Sequence, residues 1–124
     1  MNKKVLIIDD SPTLRKVLSY LLKKKNIETE LVQNGKEGLI KIENNSYNLV
    51  ILDMNMPVMG GIEVLKRLNK KKDFKTPILI LTANNEVRDQ GLRLGASHFL
   101  TKPFKPKSII ESISEIFSEI EKDT

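Results

Sequence analysis

Apolar residues in this chain fall into two alternating patterns, short unbroken runs and longer stripes at helical spacing. Val5-Leu6-Ile7-Ile8 and Leu49-Val50-Ile51-Leu52 are runs of the first kind, and each closes on acid, Asp9-Asp10 and Asp53. Unbroken β-branched runs of this length mark parallel strands covered on both faces. After the first run, Ser11 offers a helix N-cap and Pro12 a first helical position. Leu14, Val17, Leu18, Leu21 and Leu22 then make one apolar stripe. A short edge strand is expected over Glu28–Val32, a turn at Asn34-Gly35, and a helix over Lys36–Glu43 that buries Leu39 and Ile42.

The alternation continues beyond Asp53. A loop over Met54–Gly61 holds Pro57 and Gly60-Gly61, and a helix is predicted over Ile62–Lys70. Pro77 opens a strand over Ile78–Thr82. The next helix, Glu86–Leu94, is weakly amphipathic and carries Gly91, so it should be the least stable, with Gly95 as its cap. His98–Thr101 reads as the fifth strand. Pro106 opens a last helix striped by Ile109, Ile110, Ile113, Ile116, Phe117 and Ile120. Five strand–helix units predict an α/β sandwich, a doubly wound parallel sheet with helices on both faces and right-handed crossovers. At 124 residues the expectation is a single domain over 1–124, with no room for an output domain.

Composition narrows the function classes. A hydrophobic content of 40% and a charged content of 30% are ordinary for a globular domain. No apolar run nears the ~20 residues of a membrane helix, and the N-terminus lacks a signal-peptide pattern, so no membrane insertion is expected. The absence of cysteine excludes disulfides and thiolate-bound metals and fits a cytoplasmic address. The net charge of +5 invites a nucleic-acid reading, but lysines outnumber arginines 17 to 4. The runs Lys23-Lys24-Lys25 and Lys70-Lys71-Lys72 each fall where a helix should end, and cations there complement the helix dipole. The expectation is therefore solvated helix ends and no direct nucleic-acid contact.

The candidate chemistry lies at the strand ends. In open α/β sheets, ligands bind beyond the carboxyl ends of the strands, where strand order reverses. Asp9, Asp10, Asp53, Thr82 and Lys102 all stand at such ends. Clustered carboxylates repel, so a cation must share their pocket, and one of them becomes a candidate nucleophile. Taken singly, each has an ordinary reading: an acid as cap or solvated loop residue, Thr82 as a strand residue, Lys102 as an exposed one. Five placements at one rim favour a site. His98, the only histidine, reads as a satisfied structural group. Met54, Met56 and Met59 read as packing residues.

These pieces, with the loop Met56-Pro57-Val58-Met59-Gly60-Gly61, Thr82-Ala83 and Lys102-Pro103-Phe104, stand in the order and spacing of a known family. The chain resembles, over essentially its whole length, the receiver domains of bacterial two-component response regulators, of the single-domain chemotaxis type. The resemblance implies a flavodoxin-like sheet of order 2-1-3-4-5, the order of chemotaxis receivers. It implies Asp53 as phosphoacceptor. Asp10, Asp53 and the Asn55 carbonyl would bind Mg2+ directly, and Asp9 through water. Lys102, Thr82 and the Ala83 N–H would hold phosphoryl oxygens, and the Lys102–Pro103 peptide would be cis. Thr82 and Phe99 would be the switch pair, passing the signal to the face of helix four, strand five and helix five. The implied partners are a histidine kinase upstream and, downstream, a flagellar motor switch or a histidine phosphotransferase of a phosphorelay. The protein would be a monomer or a phosphorylation-dependent dimer.

The family's pattern is departed from at Phe99, often tyrosine, at Gly60, often acidic, and at Asn84, acidic in some chemotaxis regulators. Two other classes compete. An aspartyl-phosphate phosphatase wants a second acid where Asn55 stands. A flavin domain of the same strand order wants a Ser/Thr/Gly-rich loop where Asp9 and Asp10 stand.

Overall fold

A computed structural model of the chain describes residues 3–122. The elements alternate as predicted: β1 (Lys3–Ile8), α1 (Pro12–Lys23), β2 (Ile27–Val32), α2 (Gly35–Asn44), β3 (Leu49–Asp53), α3 (Gly61–Asn69), β4 (Ile78–Thr82), α4 (Asn85–Arg93), β5 (His98–Thr101) and α5 (Pro106–Lys122). All strands pair in parallel, in the order β2-β1-β3-β4-β5. The helix boundaries differ from expectation by about one residue because the caps decide them. The Asn34 and Asn84 side chains accept from Glu37 N and Val87 N, and so start α2 and α4 one residue early. Gly95 closes α4 with φ +110°, a conformation that glycine adopts without strain.

Alternation along each strand divides the core in two. Leu6, Ile8, Val50, Leu52, Ile78 and Ile80 pack under Leu39 of α2 and Val64, Leu65 and Leu68 of α3. Val5, Ile7, Leu49, Ile51, Leu79 and Leu81 pack against Leu18 and Leu22 of α1 and Ile109, Ile113 and Phe117 of α5. The sheet is thus covered on both sides, which explains why its central strands are unbroken apolar runs. Ile42, by contrast, is only partly buried, and α4 fully buries just Gly91. Val87 and Leu92 of α4 nevertheless pack, partly buried, against the same core as α3.

Register sets the relative heights of the strand ends. Ile8 pairs with Leu52, so Asp9 comes level with Asp53. Asp53 pairs with Leu81, so Thr82 lies one step beyond it, and Thr82 pairs with Thr101, so Lys102 is one step further. These four residues form a short staircase along one rim.

Packing beside this rim leaves no slack at Gly38. A Cβ there would lie 2.4 Å from Ile8 Cδ1 and 2.9 Å from its Cγ1. Gly38→Ala should therefore destabilise the fold by about 1–3 kcal/mol despite alanine's better helix propensity. Thermal unfolding checks this, and adding Ile8→Val, which removes the clashing methyl, should recover part of the loss.

Candidate functional site

The staircase brings together what the sequence scatters. One carboxylate oxygen from each of Asp9, Asp10 and Asp53 lies within 4.8 Å of the others. Asp9 and Asp53 are 0% and 1% exposed, whereas Asp10 is exposed. Lys102 Nζ lies 3.1 Å from Asp53 Oδ1 and 3.8 Å from Asp9 Oδ2. Its ammonium therefore serves both buried carboxylates at once. Strand alternation makes this possible, since Asp9, Asp53 and Lys102 continue the alternate positions of β1, β3 and β5 that face α1 and α5.

Backbone groups hold the carboxylates in place. Asp9 Oδ1 accepts from Ser11 N at 2.9 Å, and Asp53 Oδ1 accepts from Asn55 N at 3.2 Å. Arg15 Nη1 donates to the Asp9 carbonyl at 2.7 Å. Sequence reasoning missed Arg15, which lies one turn into α1 and carries no motif signal. Thr82 is 5% exposed, and its Oγ1 accepts from Asn84 N at 3.1 Å. Lys102 N donates to the Thr82 carbonyl at 3.0 Å, so one residue both ends the β4–β5 ladder and aims a charge at Asp53. The Lys102–Pro103 peptide is cis.

Two expectations fare differently beyond the rim. Met54 and Met56 are core residues and Met59 packs against them, as expected. His98 is satisfied on one side only. Its Nε2 lies 3.4 Å from Glu119 Oε2, while its Nδ1 is buried with no partner among the described residues. The edge strand brings it a neighbour from α5 alone.

Electrostatics single out the same residues. Burial pushes both the Asp9 and the Asp53 carboxyls above the usual range. The Asp9 charge pushes Asp53 up further, against the pull of Asn55 N–H and Lys102. One lysine thus fails to compensate the two acids fully. Asp9 Oδ2 is also buried without a hydrogen bond. An orphaned carboxylate oxygen, two neighbouring carboxylates and nearby loop carbonyls form a hard, all-oxygen donor set. Such a set fits Mg2+.

A family model described as the response regulator receiver domain matches residues 5–114. The chain belongs to this family. Receiver domains are signalling switches that histidine kinases phosphorylate, and they bind Mg2+ at an acidic pocket. Sequence relatives of this receiver include the alkaline phosphatase synthesis transcriptional regulatory protein PhoP of Bacillus subtilis, 37% identical over 98% of this chain and 51% of PhoP. The transcriptional regulatory protein CpxR homolog of Haemophilus influenzae is 42% identical over 91% of this chain and 49% of that protein. The receiver spans about half the length of these curated relatives. Among solved structures, chemotaxis response regulator CheY4 of Vibrio cholerae superposes with a TM-score of 0.87 at 34% identity, covering 94% of this chain and 99% of CheY4. A CheY-like receiver domain protein of Methanospirillum hungatei reaches 0.92 at 30% identity, covering all of both chains.

The loop beside Asp53 carries one conformational cost. Val58 has φ +71° and is 80% exposed. A β-branched side chain in the left-handed region is strained, and here burial returns nothing. Val58→Asn should raise stability by about 1 kcal/mol, read as a higher midpoint in urea.

A pH dependence also follows from the buried acids. Because the fold raises the Asp53 pKa above its ordinary 3.8, the folded state keeps a proton that the unfolded chain releases. The contribution of Asp53 to stability therefore falls as pH rises from about 4 through the raised value. In divalent-free buffer, Asp53→Asn should be more stable than the parent at neutral pH, by about 1 kcal/mol or a few degrees in Tm. That advantage should shrink towards pH 4. Millimolar Mg2+ should raise the Tm of the parent more than that of Asp53→Asn.

Proposed function

We propose that this receiver takes a phosphoryl group onto Asp53 from a histidine kinase and signals through α4, β5 and α5. The observation that carries the reading is the single ammonium of Lys102, 3.1 Å from one buried carboxylate and 3.8 Å from another. A lone cation so placed is suited to a group whose negative charge grows on Asp53.

Asp10, Asp53 and the Asn55 carbonyl would hold Mg2+ directly, and Asp9 through water. When bound, Mg2+ supplies neutralising charge between the carboxylates and the incoming phosphoryl oxygens. Asp53 is the nucleophile. One of its carboxylate oxygens forms the bond to phosphorus as the bond from phosphorus to the donor nitrogen breaks, and the displaced electron pair leaves with the donor imidazole. The reacting form of Asp53 is the carboxylate, which carries no proton to remove, so the step itself needs no general base. Lys102 Nζ binds one phosphoryl oxygen as a point charge. The Thr82 hydroxyl and the Ala83 N–H bind others.

The route to a partner starts at Thr82. Ile80 pairs with Phe99, so Thr82, two residues along, faces the same side of the sheet as Phe99, the side that α4 covers. Phe99 is 40% exposed, and the Arg88 guanidinium of α4 lies 5.0 Å over its ring. When Thr82 turns towards the new phosphoryl oxygen, it vacates space behind Phe99. The ring then exchanges its exposed position for a buried one, which changes the surface shared by α4 and β5. The curated relatives are transcriptional regulators, and CheY4 is a chemotaxis protein. The switch mechanism is common to both outputs, and either a protein target or a phosphotransferase suits the same face.

Incubation with Mg2+ and a small acyl phosphate should add the mass of one phosphoryl group. Asp53→Asn should abolish this labelling, whereas labelling that persists would reject the acceptor assignment. Lys102→Ala should slow it by about 10²-fold. Thr82→Ala should be labelled but should fail to shift the Phe99 ring resonances.

A further inference from the structure

The lysine runs 23–25 and 70–72 are each unremarkable as helix ends, but the topology joins them. Helices that cross between parallel strands all end where strands begin, so the ends of α1 and α3 share the pole opposite the acidic rim. Lys23 closes α1 with Lys24 as its C-cap, and Lys70 is the C-cap of α3. The space between the two runs is bridged. Lys3, at the start of β1, lines a shallow recess with Lys25 and Asn26. Lys4 N donates to the Asn48 side chain at 2.7 Å, and Lys4 Nζ lies 5.6 Å over the Tyr47 ring. Tyr47 in turn lines a cleft of about 520 Å³ together with Asn45, Thr76, Lys71 and Lys75. A lysine belt thus crosses the whole pole, from the α1 side of the sheet to the α3 side.

Local acids do not balance the belt. Lys3, Lys4 and Lys71 pair with Glu121, Glu30 and Glu43 at 3.5, 2.9 and 3.5 Å. Asp73 and Glu43 line the cleft, and Glu28 lines the recess beside Lys23. Lys23, Lys25, Lys70, Lys72 and Lys75 have no ion pair among the described residues, and all but Lys70 and Lys72 border a recess. Among the large exposed apolar side chains, Tyr20 borders the belt, with Lys24 Nζ 5.2 Å over its ring.

These features discriminate among polyanions. Protein interfaces deplete lysine and favour arginine anchors, whereas the charges of the belt are all lysines. A flat anionic bilayer would span the cleft without entering it. A phosphodiester backbone can instead track along the belt, setting phosphates against Lys23, Lys25, Lys70, Lys72 and Lys75, the lysines without an ion pair among the described residues. We propose that this pole binds the phosphate backbone of nucleic acid, without reading bases. The topology thereby reverses the expectation drawn from the two runs taken singly, and the proposal is independent of Asp53 chemistry.

Fluorescence anisotropy of a short labelled DNA duplex tests it. Binding should be weak, with a Kd of about 10⁻⁴–10⁻⁶ M, and log K should fall with log salt with a slope of about −4, as for roughly five phosphate contacts. The triple variant K25Q/K72Q/K75Q should lose about tenfold or more in affinity, with a slope shallower by about 3. The control K36Q/K105Q/K107Q removes equal charge from the opposite end and should bind like the parent. Circular dichroism melts of all three proteins should agree. Absence of duplex binding at low salt would overturn the proposal, as would equal losses in both variants, which would mean diffuse net charge. Co-sedimentation with phosphatidylserine vesicles at lower concentrations than duplex binding requires would assign the belt to membranes and overturn it too.

Discussion

Two carboxylates out of contact with water and one ammonium between them set the terms for the rest of this molecule. Burying an acid is costly unless it is paired, and here the pairing is deliberately short by one charge. Lys102 reaches both Asp53 and Asp9, yet both acids remain harder to ionise than in water. A site with this deficit favours any additional positive charge that can reach it.

The sheet does the positioning, and its regularity does the wiring. The same alternation that sorts apolar residues into two cores sends Asp9, Asp53 and Lys102 towards one face and Thr82 and Phe99 towards the other. The acidic cluster and the Phe99 ring therefore lie on opposite sides of one sheet. They are joined where Lys102 N meets the Thr82 carbonyl at 3.0 Å. The helix over the Phe99 side is α4, whose one fully buried residue is Gly91.

Much of this was legible in the residues. Unbroken runs ending in acid located β1 and β3, and helical stripes located α1 and α5. The acids and Lys102 then fell at one rim because parallel strands share a direction. Other features depend on geometry that no local pattern encodes. The grip of Arg15 on the Asp9 carbonyl depends on how α1 leans over the strand end. The half-satisfied state of His98 depends on which residue of α5 lies opposite it. The lysine runs do end α1 and α3 as their spacing implied, but that both ends share one pole follows only from the parallel topology. Boundaries moved because Asn34 and Asn84 capped helices that hydrophobic spacing alone started later.

Lys102 and Asp53, which meet at 3.1 Å, are separated by 49 positions along the chain. Asp9 comes from yet another strand. No single strand–helix unit can assemble these groups, so the cluster forms only when distant parts of the sheet have come together. The acidic cluster is therefore a reporter of correct assembly, present only when β1, β3 and the end of β5 stand in register.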